Sequence, residues 1–263
     1  SNNQMGWILG TFFLAYALGQ VPSGWLGDRF GARIMLTIYI VLWSALTAMS
    51  GLAGGFLVLL ALRFGFGLAQ AGAYPTSVGV LSKWMPVSSR GKASSIVAFG
   101  GRVGGFLAPI ATAYLIVFVG WRWVMLIFGL IGIVVAGLFW VIFRDRPGAH
   151  PLCNAGEITV IAGDVQVGAA PPRRALGRLP IQSVLQSRSL WLSCLSQLTT
   201  NVGWVFLGTW LPRYLAEVHE VPIEQRGWLS GIPIFVGWFG MLSGGWLTDR
   251  LVGAVGLRWG RGL

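Results

Sequence analysis

The sequence predicts an all-α membrane protein that crosses the bilayer several times. Of its 263 residues, 55% are hydrophobic and only 10% are charged, whereas soluble domains carry about 25% charged residues. Seven stretches are long and apolar enough for spanning helices, which need about 20 residues. The segment that begins at Gly24 recurs 221 residues later, at Gly245. Because repeated halves are typical of secondary transporters, these observations together favour a carrier.

The predicted spans divide the chain into two groups. The connections between spans are short, except for residues 144–189, which mix six arginines with Gly, Pro and Ala. We predict a flexible linker there, between a first bundle at 1–143 and the start of a second bundle at 190–263. The seven spans are 7–26, 34–51, 56–80, 94–119, 123–143, 190–212 and 227–247.

Basic residues are concentrated in alternate connections. The connections after odd-numbered spans hold 14 Lys or Arg, and those after even-numbered spans hold three. Since cytoplasmic loops carry the excess of Lys and Arg, we expect a multi-pass protein of the cell (inner) membrane with a cytoplasmic linker at 144–189. The bias explains most of the net charge of +11, so no nucleic-acid partner is expected. The 14 residues are Arg29, Arg33, Lys83, Arg90, Lys92, Arg144, Arg146, Arg173, Arg174, Arg178, Arg188, Arg250, Arg258 and Arg261.

Each copy of the repeat places an acid beside an arginine at the end of a span. The first copy covers residues 24–33, and we predict a tight turn there at Gly27 and Gly31, with Asp28 near the positive end of the next helix. These charges could latch two bundles in one state and release them in another. The simpler interpretation is a basic anchor that fixes topology. The predicted gating residues are Asp28, Arg29, Arg33, Asp249 and Arg250.

Two arginines fall inside predicted spans, while every acid lies in a loop or at a span end. A charge in hydrocarbon is costly unless it faces a cavity or a partner, and a guanidinium can hold a carboxylate by two parallel hydrogen bonds. Arg63 is therefore a candidate for binding an anionic substrate; alternatively, it snorkels or caps carbonyls of a neighbouring helix. Arg102, which lies among glycines, is a candidate pore-lining residue, or it could hold two helices together.

Four more polar residues in the spans are candidates for substrate binding: Gln70, Tyr74, Tyr16 and Asn201. Gln70 lies two helical turns after Arg63, and Tyr74 lies one turn further on the same face. Asn201 is more often a residue of helix–helix contacts than a ligand. No cofactor or metal is expected, because the two cysteines lack the spacing of a metal site.

The first copy of the repeat reads Gly-x-Leu-x-Asp-Arg-x-Gly-x-Arg over residues 24–33. It resembles the cytoplasmic loop signature of the major facilitator superfamily, which lies between helices two and three and recurs between helices eight and nine. The resemblance implies an incomplete bundle of that type, with about seven of twelve transmembrane helices. Helices two to eight would lie in this chain, and helix one and helices nine to twelve outside it. It also implies rocking of two bundles about a central site.

A narrower resemblance is carried by residues 63–75 and 210–215, and by Gly-Trp-Arg-Trp at 120–123. They are similar to the anion:cation symporter family, which includes hexuronate, galactonate and glucarate carriers and sialin. The resemblance implies that a small organic anion, a sugar acid or a related carboxylate, moves with H+ or Na+. In that family the position of Tyr16 often holds a substrate-contacting tyrosine.

One residue departs from the pattern of this family. The position of Gln70 is commonly a glutamate of proton coupling, and a glutamine cannot titrate. This departure argues against proton symport through that position. Gln70 can instead hydrogen-bond a sugar hydroxyl.

The predicted function is secondary active transport of a small organic anion with a coupling cation, by a monomer in the lipid bilayer. An intramembrane enzyme would need a nucleophile–base pair or metal ligands in the spans, and the predicted spans contain no His, Asp, Glu or Lys. The alternative is a non-transporting or truncated membrane scaffold of the same fold. The repeat and the two arginines inside the spans count against that alternative.

Overall fold

A computed structural model describes residues 2–86, 89–167 and 185–255 of the chain. Within these residues all regular structure is helical and no residue is in a strand, so the predicted all-α class is confirmed. The α-helices, numbered here in chain order, are α1 (Asn2–Phe30), α2 (Ala32–Gly51), α3 (Phe56–Ala71), α4 (Ala73–Trp84), α5 (Arg90–Val119), α6 (Trp121–Ile142), α7 (Ala155–Val167), α8 (Arg188–Val205), α9 (Leu211–Glu217) and α10 (Ile223–Val255).

Five helical stretches of the described chain are long and apolar enough to cross a membrane. They coincide with the first five predicted spans. Within the last of them, Trp121–Ile142, an 18-residue window has a mean hydropathy of 2.7, and only 11% of that window is buried. Apolar surface of this extent is covered by lipid rather than water, so the chain is a multi-pass membrane protein. The five stretches are Asn3–Phe30, Ala32–Gly51, Phe56–Trp84, Ala93–Val119 and Trp121–Ile142.

The last two predicted spans are helical but are not among these five. Span 190–212 covers most of α8, a π-helical turn at Phe206–Trp210 and the start of α9. Its α-helical part carries Ser, Gln, Thr and Asn side chains, which lower its hydropathy. Span 227–247 lies inside α10, a helix of 33 residues.

Small residues bring the first helices close together. A Cβ atom on Gly67 of α3 would lie 2.5 Å from the carbonyl oxygen of Phe12 and 2.9 Å from the Cβ of Ala15, both on α1. Between α1 and α2, the Tyr39 hydroxyl donates a hydrogen bond of 2.8 Å to the carbonyl oxygen of Ser23. Such close backbone approach is typical of membrane helices, whose association rests on packing and hydrogen bonds.

The chain divides into two compact units. The first comprises Ser1–Ile96 and Phe118–Gly177, and the second comprises Val97–Val117 and Arg178–Leu263. In the second unit α5 packs against α10, where a Cβ on Gly231 would lie 2.9 Å from the carbonyl oxygen of Phe106. This packing explains why the middle of α5 belongs to the second unit. The bundle boundaries expected from the sequence stay a prediction.

The predicted linker contains a helix. Residues 155–167 form α7, because Asn154 and Glu157 build a capping box at its start. The Glu157 amide donates to Asn154 Oδ1 at 2.8 Å, and the Asn154 amide donates to Glu157 Oε2 at 3.1 Å. The sequence analysis did not anticipate this helix, and the role of residues 144–189 as a flexible linker stays a prediction. Arg173, Arg174 and Arg178 of the linker lie outside the described residues.

Candidate functional site

The first charged segment is not the turn that the sequence predicts. Asp28 and Arg29 lie in the last turn of α1, and Gly31 alone separates α1 from α2. The φ angle of Gly31 is +95°, a conformation that favours glycine. Because α1 continues through Asp28, this carboxylate lies at a helix C-terminus, where the helix dipole does not favour a negative charge.

Arg29 and Asp28 are both exposed. The Arg29 guanidinium carbon lies 5.1 Å from the ring centroid of Trp25 and 5.4 Å from that of Phe30. No residue of the described chain forms an ion pair with Asp28. In the second copy, Asp249 and Arg250 lie within α10, and their side chains are outside what the structure describes.

Arg33 is bound inside its own unit. Its Nε and Nη2 atoms donate to the carbonyl oxygen of Trp140, at 3.0 and 2.6 Å, and its guanidinium carbon lies 4.2 Å from the Trp140 ring centroid. Its backbone amide donates to Asp145 Oδ1 at 2.9 Å. We call Arg33, Trp140 and Asp145 the α2–α6 brace, since it ties the start of α2 to the end of α6.

Asp145 was missed as a functional candidate by the sequence reasoning. The residue before α2 is Gly31, which offers no side-chain acceptor, so Asp145 supplies the capping carboxylate from 112 residues away. A Cβ on Gly31 would also lie 2.9 Å from Asp145 Oδ2. The missing N-cap acceptor is the signal that could have pointed to a partner elsewhere in the chain.

Arg63 lies on α3 among aromatic rings. Its guanidinium carbon is 5.8 Å from the ring centroid of Phe66, which is 5.5 Å from Phe12, and Phe12 is 5.9 Å from Tyr16. A series of ring contacts through Phe66 and Phe12 therefore connects Arg63 with Tyr16. The Arg63 Nε atom is buried and has no hydrogen-bond partner. No carbonyl in the described chain accepts a bond from Arg63, which counts against a capping role.

Gln70 and Tyr74 lie on either side of a helix break. Helix α3 ends at Ala71 and α4 begins at Ala73, because Pro75 has no N–H for the carbonyl four residues earlier. Gln70 is half-buried, whereas Tyr74 is 69% exposed. The expectation of one continuous face from Arg63 to Tyr74 thus crosses a break, and the two roles stay predictions.

Arg102 lies in the second unit. Its guanidinium carbon is 4.8 Å from the ring centroid of Trp204 on α8, and a Cβ on Gly237 of α10 would lie 3.1 Å from Arg102 Nη1. Of the glycines beside it, only Gly105 meets another helix in the described chain, at 3.2 Å from Ile234. The expectation that its flanking glycines permit close helix contact therefore holds at that position alone.

Among the described residues, the hydrogen bond of the Asn201 side chain lies within its own helix. Its Nδ2 donates to the carbonyl oxygen of Gln197, one turn earlier in α8, at 2.9 Å, and the side chain is exposed. Its substrate role stays a prediction. As for metals, no group of three His, Cys, Asp or Glu that could hold an ion occurs in the described ranges.

Comparison with known proteins identifies the family. Residues 1–263 match the family model of the Major Facilitator Superfamily. The chain belongs to this superfamily. One structural neighbour, 24% identical, is a bacterial homologue of the human lysosomal transporter Spinster, in an inward-facing and occupied conformation, with a TM-score of 0.70 over 95% of this chain and 54% of that chain. The family match and this shared fold together confirm a helical bundle of the superfamily type.

The curated relatives are transporters rather than enzymes, in agreement with the sequence analysis. A probable sulfoacetate transporter of Cupriavidus necator is 32% identical over all of this chain and 60% of its own length. A D-galactonate transporter of Escherichia coli is 30% identical over 95% of this chain and 59% of its own. Sialin of Ovis aries is 29% identical over 94% and 49%. The predicted resemblance to galactonate-type carriers and sialin is confirmed, and the chain spans between 49% and 60% of these three relatives.

The α2–α6 brace yields a prediction about stability. Asp145→Asn keeps the shape of the side chain but weakens its acceptor, so unfolding of the full-length protein should become easier by about 1 kcal/mol. The measurement is the apparent melting temperature in detergent. Asp28→Asn is the control, because Asp28 has no ion-pair partner in the described chain. It should not lower the melting temperature, since it removes a negative charge from a helix C-terminus. Equal melting temperatures for Asp145→Asn and the parent protein would contradict the brace.

Proposed function

We propose that the protein is a secondary active transporter of a small organic anion, a sugar acid or related carboxylate. The observation that carries the proposal is the state of Arg63 and Arg102. Each lies in a membrane-spanning helix, and neither has a hydrogen-bond acceptor or ion-pair partner among the described residues. A guanidinium held in hydrocarbon without a partner is costly; an anionic ligand removes that cost while it is bound.

The charge of the spans supports an anion rather than a cation. In the five spanning stretches the only acid is Asp28, near the end of α1. A cationic substrate would meet two like charges and no counter-charge. The relatives of the chain include proteins named as sulfoacetate, galactonate and glucarate transporters, which supports the same substrate class.

In the proposed mechanism each arginine binds the carboxylate by parallel N–H···O bonds, and access alternates by rocking of two bundles. Tyr16 is connected with Arg63 by the rings of Phe12 and Phe66. We assign it to substrate binding, together with Gln70, Tyr74 and Asn201. Asp28, Arg29, Asp249 and Arg250 are assigned to gating. Arg33 would contribute through the α2–α6 brace. The coupling ion is H+ or Na+, and Gln70 cannot carry the proton.

Transport of labelled anions by the full-length protein in proteoliposomes tests the proposal. We expect uptake of at least one of galactonate, glucarate, glucuronate and sulfoacetate, driven by either a pH gradient or a sodium gradient. Arg63→Gln and Arg102→Gln should each lower kcat/KM about 10- to 100-fold, because each removes charge-assisted hydrogen bonds. Arg122→Gln is the control, since this exposed arginine lies at the start of α6 over Trp121. Absence of uptake under both gradients would favour the scaffold alternative, and full uptake by both variants would remove the arginines from the mechanism.

The proposed orientation, with a cytoplasmic linker in the cell membrane, is tested by labelling Cys153. Desolvation, and secondarily a hydrogen bond and the charge of Glu157, raise the pKa of the Cys153 thiol, so its thiolate fraction and labelling rate increase as the pH rises above neutral. In a full-length background in which Cys194 and every other cysteine except Cys153 are replaced by Ser, an impermeant maleimide at about pH 8.5 should label inside-out vesicles and spare spheroplasts. Labelling of intact spheroplasts would place the linker on the other side.

A further inference from the structure

Three helices meet at the guanidinium of Arg102. Helix α5 carries the side chain, α8 places the Trp204 ring 4.8 Å from its guanidinium carbon, and α10 passes beside it at Gly237. All three residues belong to the second compact unit. The contact between the cation and the indole face is attractive and increases in strength where water is excluded.

Gly237 has a local reason to lack a side chain. The nearest heavy atom to a Cβ built on it is Arg102 Nη1, at 3.1 Å, and no other described atom lies within 4 Å. This position therefore does not serve close packing of helices, in contrast to Gly231 and Gly227, whose Cβ atoms would meet the backbone of α5. The guanidinium lies beside α10 at Gly237, and an added methyl group would shift it by a few tenths of an ångström.

The N–H groups of Arg102 remain available for a ligand. Within the described ranges no residue accepts a hydrogen bond from them, although the indole lies over the guanidinium. An arginine side chain that is free to rotate loses conformational entropy when it binds. One that is already held by an aromatic ring and by the shape of a neighbouring helix loses less.

We infer that Trp204 and Gly237 are positioning residues that hold the Arg102 guanidinium for two-point binding of a carboxylate. The inference rests on the proposed function, and it adds two residues that bind no substrate themselves. Trp204 holds the side chain from α8 and Gly237 leaves room for it on α10. Because both act through Arg102, their substitution should weaken substrate binding and leave the turnover step unchanged.

The test compares uptake kinetics of the full-length protein for labelled galactonate, glucarate and sulfoacetate. Trp204→Leu should raise KM about 10-fold with kcat within about twofold, because it removes the cation–π contact. Trp204→Phe keeps an aromatic face and should restore KM to within about threefold of the parent. Gly237→Ala should raise KM less, about two- to threefold, because the added methyl group shifts the end of the Arg102 side chain only slightly. Gly240→Ala is the matched control on α10, since its Cβ would meet nothing within 4 Å.

A double-mutant cycle separates this inference from the proposed function. In an Arg102→Gln background, Trp204→Leu and Gly237→Ala should cause no further rise in KM. If Arg102→Gln lowers uptake but both positioning variants leave KM unchanged, the inference fails and the proposed function stands. The same holds if the positioning variants raise KM as much in the Arg102→Gln background as they do in the parent protein. If Arg102→Gln itself has no effect, the role of Arg102 in the proposed function fails first. Where Trp204→Leu does not reach the membrane, Gly237→Ala alone decides the outcome, since it leaves Trp204 in place.

Discussion

A guanidinium inside a membrane-spanning helix needs a counter-charge or a set of acceptors, because hydrocarbon provides neither. Arg63 and Arg102 lie under this constraint, and among the described residues each guanidinium has one aromatic ring near it and no carboxylate paired with it. An aromatic face stabilises a cation without neutralising it. The positive charge therefore remains available to a negatively charged ligand, and the proposed transport of anions follows from this arrangement.

Arg33, at the start of α2, differs from these two arginines because it has hydrogen-bond acceptors in the protein. Arg33 donates two hydrogen bonds to the carbonyl oxygen of Trp140 and stacks on its ring, while Asp145 accepts from its amide. These bonds are local and satisfy the start of α2, which has no capping side chain of its own. Arg33 thus ties α2 to α6 through acceptors in the protein, whereas Arg63 and Arg102 have no such acceptor among the described residues.

The sequence was most informative about the first five spans and about Gly31, where the signal is local. The length and hydropathy of the first five spans follow from composition, and Gly31 is required by a backbone conformation. Contacts between distant residues were not predictable: Asp145 caps Arg33 across 112 positions, and no spacing rule pairs Trp204 with Arg102. Of the two glycines predicted to form the turn, Gly31 separates α1 from α2, whereas Gly27 lies inside α1. Helix α7 was missed although Asn154 and Glu157 carry a recognisable capping signal.

The central claim is that unpaired guanidinium groups recognise the negative charge of the substrate. The direct measurement is competition against the uptake of labelled galactonate by proteoliposomes that contain the full-length protein. Unlabelled galactonate should compete at a concentration near its own KM. Its neutral amide, which has the same carbon skeleton, should require at least about 10-fold more, because it leaves the guanidinium groups without a counter-charge. Equal competition by galactonate and its amide would contradict the account.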